Sequence, residues 1–374
     1  MEATRPAALK RLADFLPRAG WDYARHRNRD VPGLGAVSGL SPYLRHRLLT
    51  EEEVVAAAYA MHGHAADKFV AEVYWRTYWK GWLEMRPQVW RDYQSGVQAA
   101  LNRVAVESGL RRDWEAACAG QTGIDCFDHW AQELATTGYM HNHARMWFAS
   151  IWIFTLRLPW ELGADFFLRH LLDGDVASNT CSWRWVGGLH TPGKTYLATA
   201  DNIARNTDGR FAPTGLATTT FTLTAPTVPT PKPIRAPDAW DRDLPTALLI
   251  HDDDCHPDYI SDQIVTPISS YALLTVTARS PLIIAPSAAA FSTTAVHSAA
   301  ATQQPPDIAH ILASGAQQIV SPYAPVGPSR DALNTLEAAL KSHKIPVVRV
   351  MRHYDRTFWP HATHGFFRFR EAIT

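Results

Sequence analysis

Between Tyr139 and Trp185 the chain gathers Asn142, Arg145, Asp173, Asp175 and Asn179, in the runs MHNHARM and DGDVASNTCSWRW, with Trp160, Trp183 and Trp185 among the tryptophans of the segment. The apolar residues Met146, Phe148, Ile151 and Phe154 suit a buried helix, on which Asn142 and Arg145 lie three apart and share a face. A buried guanidinium needs a counter-charge. Asp173 and Asp175, just after a helical run from Leu162 to Leu172, are the candidates, and such a pair fixes both groups beside a polar ligand. Asn179 adds an amide that both donates and accepts, while the indoles add π surface that is costly to crowd together for packing alone. Taken singly, each residue fits a core aromatic or a structural ion pair. The ordered set MHN-x-x-R, then Trp, then DGD-x-x-x-N-x-x-x-W-x-W is what sets the segment apart.

A second group lies upstream. In AEVYWRTYWKGW, Glu72, Trp75, Arg76 and Trp79 fall at i, i+3, i+4 and i+7, so a carboxylate, two indoles and a guanidinium line one helical stripe. An amphipathic helix with its indoles in the core has this pattern too, but a glutamate on the stripe suits a pocket better than a core. The elements that must position these residues are legible around them. Thr50 to Glu53 form a Thr-x-x-Glu capping box that opens a helix running through Ala58 and Met61.

With 374 residues, the chain is typical of two domains. Residues 1–212 read as all-α. From Phe211 to Trp240 the sequence is rich in Thr and Pro with little charge, the composition of a linker, placed at 213–240. Beyond it Thr246–His251, Leu273–Thr277, Gln318–Ser321 and Val347–Val350 look like short buried strands, alternating with helices predicted at Asp307–Ala313 and Arg330–His343. Residues 241–374 therefore read as a Rossmann-like α/β domain with a parallel sheet, and the whole as a multi-domain α + α/β protein. No apolar run is long enough to span a membrane, and the first fifteen residues form an amphipathic helix rather than a signal peptide. Cytoplasmic residence is expected. The four cysteines show no CxxC pairing, which points to no disulfide framework and no zinc or iron–sulfur site. The cluster His251-Asp252-Asp253-Asp254-Cys255-His256 reads as a polar strand-to-helix turn rather than a metal site.

The ordered motif resembles the flavin-binding half of the photolyase and cryptochrome superfamily. Val37, Ser38, Gly39, Leu40, Ser41, Pro42, Tyr43 and Leu44 are similar to the family's TSRLSPYL segment, whose backbone and hydroxyl groups hold the FAD phosphates. Val37 stands for Thr and Gly39 for Arg, so part of the phosphate neutralisation must come from elsewhere. The resemblance implies FAD as cofactor, with Tyr23, Ser38, Gly39, Leu40, Ser41, Asn142, Arg145, Asp173, Asp175 and Asn179 around it. It places Asn179 opposite flavin N5, where a neutral amide favours the reduced state and repair over signalling. Glu72, Trp75, Arg76, Asn142, His143, Met146 and Trp185 then face the substrate, Trp75 stacking on a flipped pyrimidine pair and Glu72 bonding its carbonyls. Burial should raise the Glu72 pKa. Trp183 and Trp160 match the proximal and middle indoles of an electron chain, whose distal member is not located; Trp114, Trp147 and Trp152 are the alternatives.

What this implies is a light-driven lyase for cyclobutane pyrimidine dimers in UV-damaged DNA, acting as a monomer. Enzymes for the (6-4) photoproduct carry two histidines where this chain has Asn142 and Met146. The 36 basic and 36 acidic residues balance, so any DNA contact rests on a local patch, with Arg25, Arg27, Arg29, Arg76, His143 and Arg184 as candidates. Such a patch suits a single strand, where stacking contributes about 1–3 kcal/mol per base. In ordinary family members the α/β domain comes first. Here it follows, an inverted order that resembles a short bacterial subgroup called NewPHL, whose C-terminal domain seals the flavin. The alternative is a cryptochrome-like blue-light photoreceptor without repair activity.

Overall fold

A computed structural model describes residues 1–191 and 193–374. The N-terminal part is helical: α1 Arg5–Phe15, α2 Trp21–His26, α3 Ser41–Arg45, α4 Glu51–His62, α5 Asp67–Glu84, α6 Pro87–Val106, α7 Ser108–Ala119, α8 Asp125–Thr137, α9 Asn142–Ser150, α10 Trp160–His170, α11 Val176–Val186 and α12 Ala200–Asn206. The capping box forms as the sequence predicts, with Thr50 Oγ1 accepting from the Glu53 amide (3.3 Å) and Glu53 Oε2 accepting from the Thr50 amide (2.8 Å). Helix α5 is apolar over most of its circumference and is buried accordingly, packing on α2, α4, α6 and α11. It therefore fixes the Glu72–Trp79 stripe at the centre of the fold.

Residues 213–245 carry neither helix nor strand, yet Leu223, Val228 and Ile234 pack on the core and the Lys232 amide donates to the Met85 carbonyl at 2.8 Å. The C-terminal part holds β1 Thr246–His251, β2 Pro267–Leu273, β3 Gln318–Pro322 and β4 Val347–Val350, with α13 Asp258–Ser261, α14 Pro286–Ala300, α15 Ile308–Ser314, α16 Pro328–Leu340, α17 His353–Phe358 and α18 Phe366–Ile373. The sheet is parallel throughout, in the order β2-β1-β3-β4. Ala247, Leu249, Ile319 and Val347 meet Leu333, Leu336 and Leu340 of α16 in its core. Two expectations need correction. The second strand lies at Pro267–Leu273, not Leu273–Thr277, because it is an edge strand whose half-exposed PISSYAL lacks the continuous apolar run of a buried one. Helix α14, PSAAAFSTTAVHSAA, went unpredicted because its small residues give little amphipathic contrast.

The two parts share a continuous core that joins Ile250, Val276, Phe291 and Phe369 to helical-part residues such as Leu44 and Phe167. Buried ion pairs cross the boundary: Arg45 to Asp253 (2.7 Å), Arg47 to Asp254 (2.8 Å) and Asp355 (2.7 Å), Arg352 to Glu51 (2.9 Å), and Glu84 to Arg330 (2.7 Å) and the Tyr323 hydroxyl (2.7 Å). The carboxylates of the His251–His256 cluster are thus taken up by arginines. Burial alone would raise the Glu51 pKa from 4.5, but the charges of Arg352 and Arg47 outweigh it and hold it at about 2. Because the folded value is depressed, the stability Glu51 confers is complete above pH 4.5 and is lost as pH falls through about 2. Melting temperatures of the parent and Glu51→Gln should therefore differ at neutral pH and converge on acidification through that window; a constant gap would refute this.

Candidate functional site

A cavity of about 540 Å³ opens in the helical part. Its walls include Tyr23 of α2 and Arg27 just beyond that helix, the loop Val37–Gly39 with Ser41, the α5 stripe Glu72, Trp75, Arg76 and Trp79, and Asn142, His143, Arg145 and Met146 of α9. Asp173, Asp175, Ser178, Asn179, Trp183 and Trp185 close the other side. Of the basic residues proposed for a DNA patch, Arg25, Arg29 and the buried Arg184 lie outside this space, whereas of the cofactor, substrate and catalytic residues singled out in the sequence all but Leu40 and Trp160 reach it.

Those two lie elsewhere for packing reasons. Leu40 is 1% exposed, with its side chain in the core, and its amide is capped by Ser38 Oγ at 3.2 Å. Trp160 sits behind the wall beside Tyr93, whose ring centroid is 5.7 Å away, and Tyr93 in turn stacks on Trp90 at 5.1 Å. The rings nearest Trp183 are Phe167 (5.1 Å) and Trp152 (6.2 Å). Trp147 belongs to a different stack, against His143 at 4.1 Å.

Arg145 and Asp173 form the expected fork, with Nη1 and Nη2 each 3.0 Å from a carboxylate oxygen, and Arg145 Nε donates to the Met140 carbonyl at 2.9 Å. Asp175 does not share that guanidinium. It caps α11 by accepting from the Ser178 amide (2.7 Å) and faces Lys80 (2.8 Å), Arg45 (3.8 Å) and Arg76 (3.9 Å). Burial works against both carboxylates, but Arg145 holds Asp173 below the usual range, and Lys80 with Arg45 holds Asp175 well below it. Both are anionic.

Asn179 Nδ2 donates one of its two hydrogens to the Ala164 carbonyl of α10 at 2.8 Å, which fixes the amide and leaves its oxygen and second N–H for the cavity. Glu72 is ion-paired with Arg27; burial raises its pKa against the opposing charge of that guanidinium. Trp75 is stacked by Phe366 of α18, centroids 3.8 Å apart and planes 7° from parallel. His143 is held by the Asn28 carbonyl (3.0 Å) and the Tyr196 hydroxyl (3.3 Å), so its ring nitrogens are occupied.

Three contributors were not foreseen. Lys80 extends the Glu72–Arg76 stripe by one more turn, a signal present in the sequence. Phe366 arrives from far along the chain and leaves no local trace. Arg11 of α1 donates to the Ser38 carbonyl at 2.6 Å and presses on Gly39, which has φ of +66° and whose added Cβ would come within 2.7 Å of the guanidinium. The charge missing at position 39 is thus brought alongside by another helix.

Residues 69–212 match the family model for the FAD binding domain of DNA photolyase. This segment is similar to the FAD-binding domain of the photolyase/cryptochrome superfamily. The deoxyribodipyrimidine photo-lyase of Streptomyces griseus is 36% identical over 157 residues, 42% of this chain and 33% of that protein. That of Vibrio cholerae is 29% identical over 216 residues, 54% of this chain and 43% of that protein. A solved bacterial class III photolyase from Agrobacterium tumefaciens aligns over 54% of this chain and 44% of its own at 25% identity, with a TM-score of 0.45. The chain thus spans less than half the length of the curated relatives it matches. The photolyase-type domain is suited to FAD on its own atoms too. Among the described residues Arg76 Nη1, Ser178 Oγ and Trp183 Nε1 are buried without a hydrogen-bond partner, and all three residues line the cavity. Among the described residues no helix is long and apolar enough to cross a membrane.

Proposed function

We propose that this chain is a light-driven lyase that splits cyclobutane pyrimidine dimers in UV-damaged DNA, single-stranded by preference, with FAD in the cavity. One observation carries the reading: Glu72, Trp75 and Asn179 open onto the same space as the Arg145–Asp173 fork. When bound, the cofactor would lend, after blue-light excitation, the electron that opens the cyclobutane ring, and would regain it once the two pyrimidines have parted. The protein's task is to hold and screen. Ser38, Gly39 and Ser41 with Arg11 form the phosphate edge, Asn142 and the Arg145–Asp173 fork grip the polar rim, and the Asn179 oxygen stands as an acceptor. Trp75 offers its indole to an extruded base, and Glu72, whose pKa burial raises against the charge of Arg27, stands where it can meet the pyrimidine carbonyls.

Asn142 and Met146 supply no acid–base pair of the kind the (6-4) lesion demands. The balanced net charge and the occupied nitrogens of His143 argue for few phosphate contacts, which fits an unpaired strand. We read the helical-then-α/β order as the inverted arrangement of the short bacterial subgroup, with a boundary near residue 212 and a linker over 213–240. The charge brought by Arg11 has a direct test: Arg11→Ala should raise the flavin dissociation constant several-fold, the scale of a partly exposed charge contact, and an unchanged constant would remove Arg11 from the phosphate edge.

Blue light on the reduced, FAD-loaded protein with a dimer-containing single-stranded oligothymidine should restore absorbance at the thymine band. A loaded protein that gives no recovery would favour the photoreceptor reading.

A further inference from the structure

The helices on either side of the Glu72–Trp75 stripe each turn one aromatic ring to solvent. Helix α2 buries Tyr23 against the cavity and is followed by Arg27, which pairs with Glu72, but leaves Trp21 75% exposed with Arg25 exposed one turn on. Helix α18 buries Phe366 on Trp75 and Phe369 on Tyr78 (5.6 Å), but leaves Phe367 77% exposed, followed by an exposed Arg368. Scattered exposed apolar residues are ordinary. Here, however, both rings sit on elements whose opposite faces build the pocket, and both have an arginine beside them. Phe366 lies 5.8 Å from Phe367 and 3.8 Å from Trp75, so the exposed ring is joined to the pocket through a single stack.

Resting on the reading above, we propose that Trp21 with Arg25 and Phe367 with Arg368 are two stacking platforms for the unpaired bases that flank the dimer in a single DNA strand. An aromatic face accepts any base and an arginine accepts the adjoining phosphate, so the pair binds without regard to sequence. A duplex keeps its bases stacked on one another and offers neither ring a partner. The C-terminal helix is thereby part of the DNA-binding surface, and strand preference is set outside the pocket.

The test is fluorescence anisotropy with the FAD-loaded protein, titrating single-stranded oligothymidine with and without a dimer, and the same dimer in a duplex. Trp21→Ala and Phe367→Ala should each weaken single-strand binding about tenfold, with Phe367→Trp restoring it. Duplex binding should change little. Arg368→Gln should lower the slope of log affinity against log salt by about 0.7, the value for one phosphate on a single strand. Ile283→Ala, at a residue 88% exposed on the C-terminal part, serves as the control for removing surface apolar area. Retention of flavin absorbance reports that each variant is folded. If Phe367→Ala and Trp21→Ala bind as the parent does, the platforms are refuted while the lyase reading stands. If they alter sedimentation but not DNA binding, the rings belong to a protein interface and the proposal falls. A parent protein that binds no single strand and repairs no dimer would overturn the reading of the pocket itself.

Discussion

Asp175→Ala should destabilise the protein by about 3–5 kcal/mol, the cost of stripping a buried charge cluster of its shared counter-ion. Lys80, Arg45 and Arg76 all face this one carboxylate, and its side chain is 2% exposed. Without it three cations repel one another in a space that water enters poorly, and α11 also loses its cap at the Ser178 amide. The same helix carries Asn179 and Trp183, so the cavity wall should loosen with it. Chemical denaturation with a flavin-release assay would read both effects. Asp175→Ala with a parent-like midpoint and full flavin retention would show that the cluster is neutralised by other means.

Trp183→Phe should slow light-driven reduction of the bound flavin by an order of magnitude or more, since no other indole lines that side of the cavity as deeply, and Phe cannot be oxidised in its place. Trp160 is the informative comparison. Its nearest ring is Tyr93 and then Trp90, whereas Trp152 is the indole closest to Trp183. Loss of photoreduction in Trp160→Phe but not in Trp152→Phe would trace the route along α10 towards Tyr93; the reverse would trace it through Trp152. Photoreduction is followed by flavin absorbance under blue light with a thiol donor. Chemically reduced Trp183→Phe protein should still repair, because the indole refills the flavin rather than touching the lesion. A parent-like photoreduction rate in Trp183→Phe would refute this role.

How much of this was readable in advance depends on how local each determinant is. The Tyr139–Trp185 segment declares itself because α9, α10 and α11 are joined by short connections, so spacing along the chain translates directly into a shared wall. Arg145 meeting Asp173 and the capping box at Thr50 are of this kind. Asp175 was assigned by proximity in sequence to Arg145, yet α5 delivers Lys80 and Arg76 to it from a hundred residues away. Phe366 on Trp75 and Arg45 on Asp253 are longer-range still, and no periodicity encodes them. In the sheet, β1 and β3 were legible as continuous apolar runs, while β2 was displaced because an edge strand need not be apolar. Leu40 shows the converse limit: a motif position fixes the backbone of a loop without telling which side chains of it face the ligand.

One FAD in the helical cavity is what every role proposed for its lining residues requires. The most direct measurement is the absorption spectrum and flavin content of the purified protein, before and after incubation with FAD. A yellow protein with one FAD per chain is expected, and the colour should be lost in Asp175→Ala. A protein that stays colourless after incubation, with its fold intact by circular dichroism, would contradict it.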